Sequence, residues 1–194
     1  AYWIGVLITD GNVHKNSIKL ALQGGDSSHI EKFRTFLGGN QGIYTYINRQ
    51  NSYATGDTIL SSFSVSSVRL VTQLANYGIV ERKSDNAKAS DELKNNRHFW
   101  RGCIDGDGSI FFSGEFKNKK CPHIMLVGSQ HLVQQFLDYC KTLIDTKANV
   151  IKINNIYRVA FARSKAKTII TELYRDCDIY LERKYAIAQE VINN

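Results

Sequence analysis

The chain repeats itself. Tyr2-Trp3-Ile4-Gly5-Val6-Leu7-Ile8-Thr9-Asp10-Gly11 returns 97 positions later as Phe99-Trp100-Arg101-Gly102-Cys103-Ile104-Asp105-Gly106-Asp107-Gly108. Trp3 and Trp100, the two tryptophans of the chain, occupy the same slot. A second echo sets Ile79-Val80-Glu81-Arg82-Lys83 against Tyr180-Leu181-Glu182-Arg183-Lys184, at an offset of 101. A duplication of this kind sets the architecture. It divides the 194 residues into two similar halves, 1–83 and 98–194, joined by a polar, charged linker over 84–97. At this length two small domains with a real hydrophobic core are open to the chain, and a solenoid is not expected.

Hydrophobic periodicity changes in the same order within each half. The aromatic-glycine segment is apolar nearly all round and ends in Asp-Gly, which predicts a buried helix stopped by a C-terminal glycine cap. Strand-like pairs follow, Asn12–His14 with Ser17–Gln23 and Ile110–Phe116 with His123–Val127. Helix-period runs come next, Ser27–Leu37 and Gln130–Ile144, and then two more strands in each half, Ile43–Asn48 with Thr58–Val65 and Val150–Asn154 with Tyr157–Ala162. Amphipathic runs Val68–Tyr77 and Lys165–Asp176 close the halves. The expected fold is α+β, αββαββα twice: two antiparallel four-stranded sheets, each covered by helices on one face and open on the other, packed through the repeated helices.

What the open faces carry depends on charge and on strand alternation. The net charge of +7 is spread evenly, with 11 basic against 8 acidic residues up to position 97 and 14 against 10 beyond it. That balance favours a polyanionic partner, nucleic acid before others. In Ile43–Asn48 the isoleucines alternate inward, which turns Tyr44, Tyr46 and Asn48 outward; in Val150–Asn154 the outward set is Lys152 and Asn154. Lys19, Gln23, Ser62, Ser64, Arg158 and Arg163 fall on polar positions of neighbouring strands. Such side chains either read base edges and phosphates in a major groove or line an ordinary solvated sheet.

Several chemistries are excluded. Cys103, Cys121, Cys140 and Cys177 lie 18, 19 and 37 apart with no CxxC pair, so they read as reduced thiols and not as a zinc site or disulfide frame. No apolar run approaches a membrane span and no signal-peptide pattern opens the chain, so an intracellular protein is expected. Gly42-Ile43-Tyr44 and Tyr46-Ile47-Asn48 are too close together for a GIY-YIG nuclease. His14, His29, His98, His123 and His131 form no HNH-like cluster, and no GxSxG turn serves a serine hydrolase.

The repeated helices carry the chemical signal. A carboxylate at a helix C-terminus faces the negative end of the macrodipole and is placed there at a cost unless a cation joins it. Gly5 and Gly102, about a turn or so before Asp10 and Asp107, permit two helix backbones to approach closely and deliver both carboxylates to one place. Paired carboxylates without thiols or imidazoles suit a hard divalent ion such as Mg²⁺, which activates water and stabilises charge on a phosphodiester.

These two segments resemble the signature motif of the LAGLIDADG homing endonucleases. Gly102, Asp105, Asp107 and Gly108 keep the motif's glycine, both acids and final glycine; Gly5, Asp10 and Gly11 keep all but the first acid, replaced by Ile8. The resemblance spans both halves and matches the single-chain, two-repeat form. It implies that the last acid of each motif, Asp10 and Asp107, binds metal and is catalytic, that Asp105 is not, and that two or three divalent ions sit at the pair. It also implies a basic residue late in each repeat, here Lys83 and Lys184, which either support the reaction electrostatically or are surface lysines at a helix end. A third family position falls on Asp26 and Ser129, each of which fits equally a helix N-cap. The implied activity is Mg²⁺-dependent cleavage of both strands of a DNA target across the minor groove, leaving short 3′ overhangs, by an intron-encoded monomer that binds no membrane. A maturase acting on intron RNA and a non-cutting DNA-binding regulator share the fold.

Overall fold

The computed structural model describes residues 1–48, 58–83, 86–116 and 119–194. Its first half runs α1 (Tyr2–Thr9), β1 (Gly11–His14), β2 (Ser17–Gln23), α2 (Ser27–Phe36), β3 (Tyr44–Asn48), β4 (Thr58–Ser66) and α3 (Val68–Ala75). The second runs α4 (Arg97–Asp107), β5 (Gly108–Phe116), β6 (Lys119–Gly128), α5 (Gln130–Leu143), β7 (Ile151–Ile153), β8 (Ile156–Ala162) and α6 (Arg163–Tyr174). This is αββαββα twice, as expected from the repeat. A further helix, α7 (Glu182–Asn193), was not expected. The repeat pattern maps the chain after Lys184 onto the polar stretch after Lys83, which suggests no helix there. Among the described residues no helix is long and apolar enough to cross a membrane.

Two antiparallel sheets result, ordered β1-β2-β4-β3 and β5-β6-β8-β7. Their cores are built alike. Trp3 lies 5.0 Å from Phe33 of α2, which meets Phe63 of β4 edge-on at 6.1 Å. In the second half Trp100 lies 5.3 Å from Phe136 of α5, which meets Phe161 of β8 edge-on at 6.4 Å. Each repeated tryptophan therefore anchors the helix that covers its sheet, which explains why the motif begins with an aromatic residue.

The junction from helix to strand departs from the expected glycine cap. Neither Gly11 nor Gly108 adopts positive φ; Gly108 is extended, at φ −85 and ψ 171. Each chain turns directly from helix into strand, and glycine is needed for space. A Cβ on Gly11 would lie 2.5 Å from the Leu7 carbonyl oxygen, and one on Gly108 2.7 Å from that of Ile104. These distances are far inside van der Waals contact, so the strand folds back closely only where the side chain is missing.

Register settles which residues the open faces carry. In the first sheet Ile18, Leu20 and Phe63 point to the helices, leaving Lys19, Gln23, Ser62 and Ser64 on the opposite face with Tyr44 and Tyr46. The side chain of Asn48 lies outside the described ones. Ile47 was expected inward, but it is 55% exposed, because β3 is the edge strand and no helix reaches it. In the second sheet Val159 and Phe161 are buried, so Tyr157 shares the helix side and Arg158 faces the open side. Lys152 pairs with Tyr157 and its Nζ sits 5.9 Å from that ring, so it lies on the helix side and not outward as expected. Asn154 belongs to the β7–β8 turn with φ +52, a conformation asparagine tolerates, and Arg163 opens α6 instead of ending a strand.

The linker is not a loose tether. Its positions 84–85 lie outside the described residues, but Ala87, Ala89 and Leu93 are buried. Gln135 of α5 accepts from the Ala89 N–H at 2.8 Å and donates to its carbonyl at 3.1 Å.

Candidate active site

The α1 and α4 helices meet through reciprocal glycines. A Cβ on Gly5 would lie 2.1 Å from the Phe99 carbonyl oxygen, and one on Gly102 2.2 Å from the equivalent oxygen of Tyr2. The matched contacts describe a pseudo-twofold axis through the seam. Backbone touches backbone there, and only residues without a side chain allow it. The seam stays tight to its C-terminal end, where a Cβ on Gly106 would lie 2.0 Å from Thr9 Oγ1 and 3.1 Å from Asp10 Oδ2. Asp10 and Asp107 are thereby brought together where the two helices end and the two sheets begin.

Asp10 is half-buried and Asp107 exposed, the latter lining a cavity with Ser129, Lys152 and Tyr157. Both carboxylates are reachable by water yet crowded by protein. That crowding, reinforced by the negative charge of Asp107, pushes the Asp10 pKa up to about 6, while Lys184, Lys83 and Arg183 oppose the shift. Asp107 is raised by the same desolvation, against Lys184 and Lys83. Among the described residues neither carboxylate has a salt-bridge partner. A pair of hard oxygen donors that repel each other is the chemistry a divalent ion fits. Among the described residues no cluster of three His, Cys, Asp or Glu exists. Such a site suits Mg²⁺, which commonly binds one or two carboxylates and completes its shell with water and phosphate oxygens.

Lys83 and Lys184 come to this same end of the seam, but as helix-end anchors. Lys184 Nζ donates toward the carbonyls of Ile104, Asp105 and Gly108 at 2.7 Å each and that of Gly106 at 3.0 Å. The carbonyls of Asp105 and Gly106 belong to the last turn of α4, that of Ile104 also takes the Gly108 N–H, and that of Gly108 opens β5; a buried ammonium answers the partial charge gathered there. Burial brings the Lys184 pKa down to about 8 against the pull of Asp105, Asp10 and Asp107. Lys83 donates to the Gly11 carbonyl, and its pKa is likewise lowered by burial. The two lysines hold equivalent stations.

The remaining candidates separate. Ser129 caps α5, accepting from the Leu132 N–H at 3.1 Å and donating to the Ala87 carbonyl. Asp26 makes no cap bond; its carboxylate takes the Arg183 Nε at 3.0 and 3.2 Å from across the molecule. Asp105 is buried at 4% exposure and accepts from Tyr2 and Tyr174 hydroxyls at 2.6 Å each and from the Leu181 N–H at 2.9 Å. With its oxygens committed to these donors it joins the halves and is not available to an ion. Arg183 was overlooked, although it stood in the echoed Glu-Arg-Lys triplet: it ties Asp26 and lends positive charge to Asp10.

By sequence, no family model and no curated protein matches the chain. By structure it is similar to the meganuclease I-SmaMI bound to uncleaveable DNA, with a TM-score of 0.63 and 14% identity over 99% of this chain and 88% of that one. The homing endonuclease I-WcaI bound to its DNA recognition sequence gives 0.64 and 12% identity, over 95% and 84%. The LAGLIDADG meganuclease I-AabMI bound to uncleaved DNA gives 0.59 and 13% identity, over 99% and 88%. The fold is that of the LAGLIDADG homing endonucleases. Within the LAGLIDADG fold of this chain, the signature helices are α1 and α4, and the signature glycines are the residues at their crossing.

Proposed function

We propose that the chain is a monomeric, site-specific double-stranded DNA endonuclease that uses divalent metal, Mg²⁺ by the hardness of its donors. The observation that carries this reading is the seam itself: reciprocal glycines bring Asp10 and Asp107 together between two uncovered sheet faces. I-SmaMI has been captured on an uncleaved DNA target with calcium ions, which supports divalent metal here. The even positive charge of both halves supports a duplex partner.

In this reading Asp10 and Asp107 hold the metal and orient the water and scissile phosphate of each strand. When bound, the metal lowers the pKa of that water and stabilises charge on the phosphoryl oxygens. Lys83 and Lys184 fix the ends of the signature helices, so the carboxylates cannot drift, and their charges favour the approach of phosphate. Cuts served by one carboxylate each, on opposite strands across the minor groove, leave short 3′ overhangs.

The test is Asp10→Asn and Asp107→Asn, assayed on duplexes selected from a randomised pool with Mg²⁺. Each variant is expected to lose double-strand cleavage while its DNA affinity stays within a few-fold. Full Mg²⁺-dependent cutting by either variant overturns the assignment.

A further inference from the structure

The two open sheet faces share a topology and differ in chemistry. On the first, register gathers the hydrogen-bonding Lys19, Gln23, Tyr44, Tyr46 and Ser64 with a buried Ser62 and the apolar Ala21 and Leu60. On the second, the positions of Lys19, Ser64, Tyr44 and Tyr46 carry Met125, Ala160, Ile151 and Ile153, those of Ala21 and Leu60 carry Val127 and Ile156, and Phe111 lies opposite His123. Phe111 is 41% exposed, Ile151 52% and Ile156 48%. The imidazole of His123 does not offset this, because it is stacked on Phe111 at 5.0 Å and bonded to Ser113 Oγ at 2.7 Å. Arg158 supplies a cation between Val127 and Ile151.

An uncovered apolar sheet face of this kind marks an interaction surface. It begins at Ser109, two residues after Asp107, so whatever meets the carboxylate pair also meets this face. Resting on the DNA reading above, we propose that the second sheet reads thymine C5-methyl groups, so that its half-site is rich in T, while the first sheet reads its half-site by hydrogen bonds. The methyl of thymine is the apolar group that bases present in the major groove. Isoleucine, valine and alanine placed against a G·C pair would strip water from its polar edge and return no hydrogen bond. Duplex RNA is a poor occupant, since uracil lacks the methyl and the A-form major groove is too narrow to admit a sheet.

The experiment uses the same selected duplexes. Thymine is expected to be enriched in one half-site, and replacing it there with deoxyuridine should weaken binding about fourfold per contacted methyl. The same replacement in the other half should change affinity less than about twofold on that scale. The double variant Ile151→Asn, Ile156→Asn alters only half-exposed side chains, and it should relax the T preference and shrink the deoxyuridine penalty in that half alone. Lys19→Ala should change preference in the opposite half. Equal deoxyuridine sensitivity in both halves, or no enrichment of T, overturns the inference while leaving the nuclease reading intact. Sedimentation showing a dimer that the double variant dissolves also overturns it, by assigning the face to a second copy. If no duplex is selected at all, both readings fall.

Discussion

Asp105 and Asp107 are two residues apart, and their surroundings give them opposite tasks. Asp107 ends its helix in the open, whereas Asp105 is buried and saturated by two phenols and a backbone N–H. Its counterpart Ile8 is buried at 2% exposure, so the first half fills the same position with a hydrocarbon. The Tyr2 hydroxyl that donates to Asp105 also lies 2.9 Å from His29 Nε2; with the Tyr2 proton committed, the imidazole is the donor. Burial and the nearby Lys32 charge bring the His29 pKa from 6.5 down to about 4. A base held neutral in the fold binds fewer protons there than in the unfolded chain, so its stability contribution is intact above pH 6.5 and is lost as pH falls toward 4. The full effect is of order 3 kcal/mol. Asp10, raised to about 6, acts with the opposite sign, so a variant comparison is needed to isolate the imidazole. His29→Gln keeps a polar partner for Tyr2 without titrating, and its melting temperature should fall less than that of the wild type between pH 7 and pH 4.5. Parallel curves for the two proteins would rule His29 out as the source.

The signature helices show why fold and candidate chemistry stand together. At Gly102 even one added methyl meets the Tyr2 carbonyl oxygen at 2.2 Å, and backbone cannot swing aside as a side chain can. Overpacking of this type costs about 1–3 kcal/mol or more. Gly102→Leu is expected to lower the melting temperature by several degrees and to lose cleavage, because separating the helices separates Asp10 from Asp107. Asp107→Asn should lose cleavage alone. Gly114→Ala, whose Cβ meets nothing within 4 Å, is the control for adding a side chain as such. An unchanged melting temperature for Gly102→Leu would show that this crossing is not the interface. The crossing could be read beforehand because a glycine repeated at one helical station has few other uses. The helix α7 could not, since it lies past the echoed Glu-Arg-Lys triplet, where the first half runs into the polar linker and offers no echo of it. The facing of Lys152 was misjudged for a different reason: Ile-Lys-Ile is three residues long, and at a twisted edge both isoleucines face the open side.

In the molecule as a whole, the duplication made the architecture and the carboxylate pair readable, while the contacts that bind the halves into one body were hidden by it. They break the symmetry. Tyr2 reaches Asp105, Asp26 holds Arg183, and Lys32 bonds Glu182 at 2.6 Å while lying 4.7 Å from the Tyr180 ring. Each link runs from the first half to the second, and none has a partner at the reciprocal positions that a repeat would reveal. The linker adds to them by docking on α5 through Gln135. The ion pairs are partly exposed and individually weak, but the glycine seam and the buried Asp105 cluster require both halves to be folded at once. The whole chain should therefore unfold in a single step in spite of its two sheets. Its two tryptophans, one in each core, make this measurable. Trp3→Phe leaves Trp100 to report the second half, and Trp100→Phe leaves Trp3 to report the first. In each variant the denaturant midpoint by fluorescence should coincide with that by far-UV circular dichroism, which follows the whole chain. A fluorescence midpoint that departs from the dichroism midpoint in either variant would mean that one half melts alone. The Asp105 cluster and the seam would then not couple the two halves.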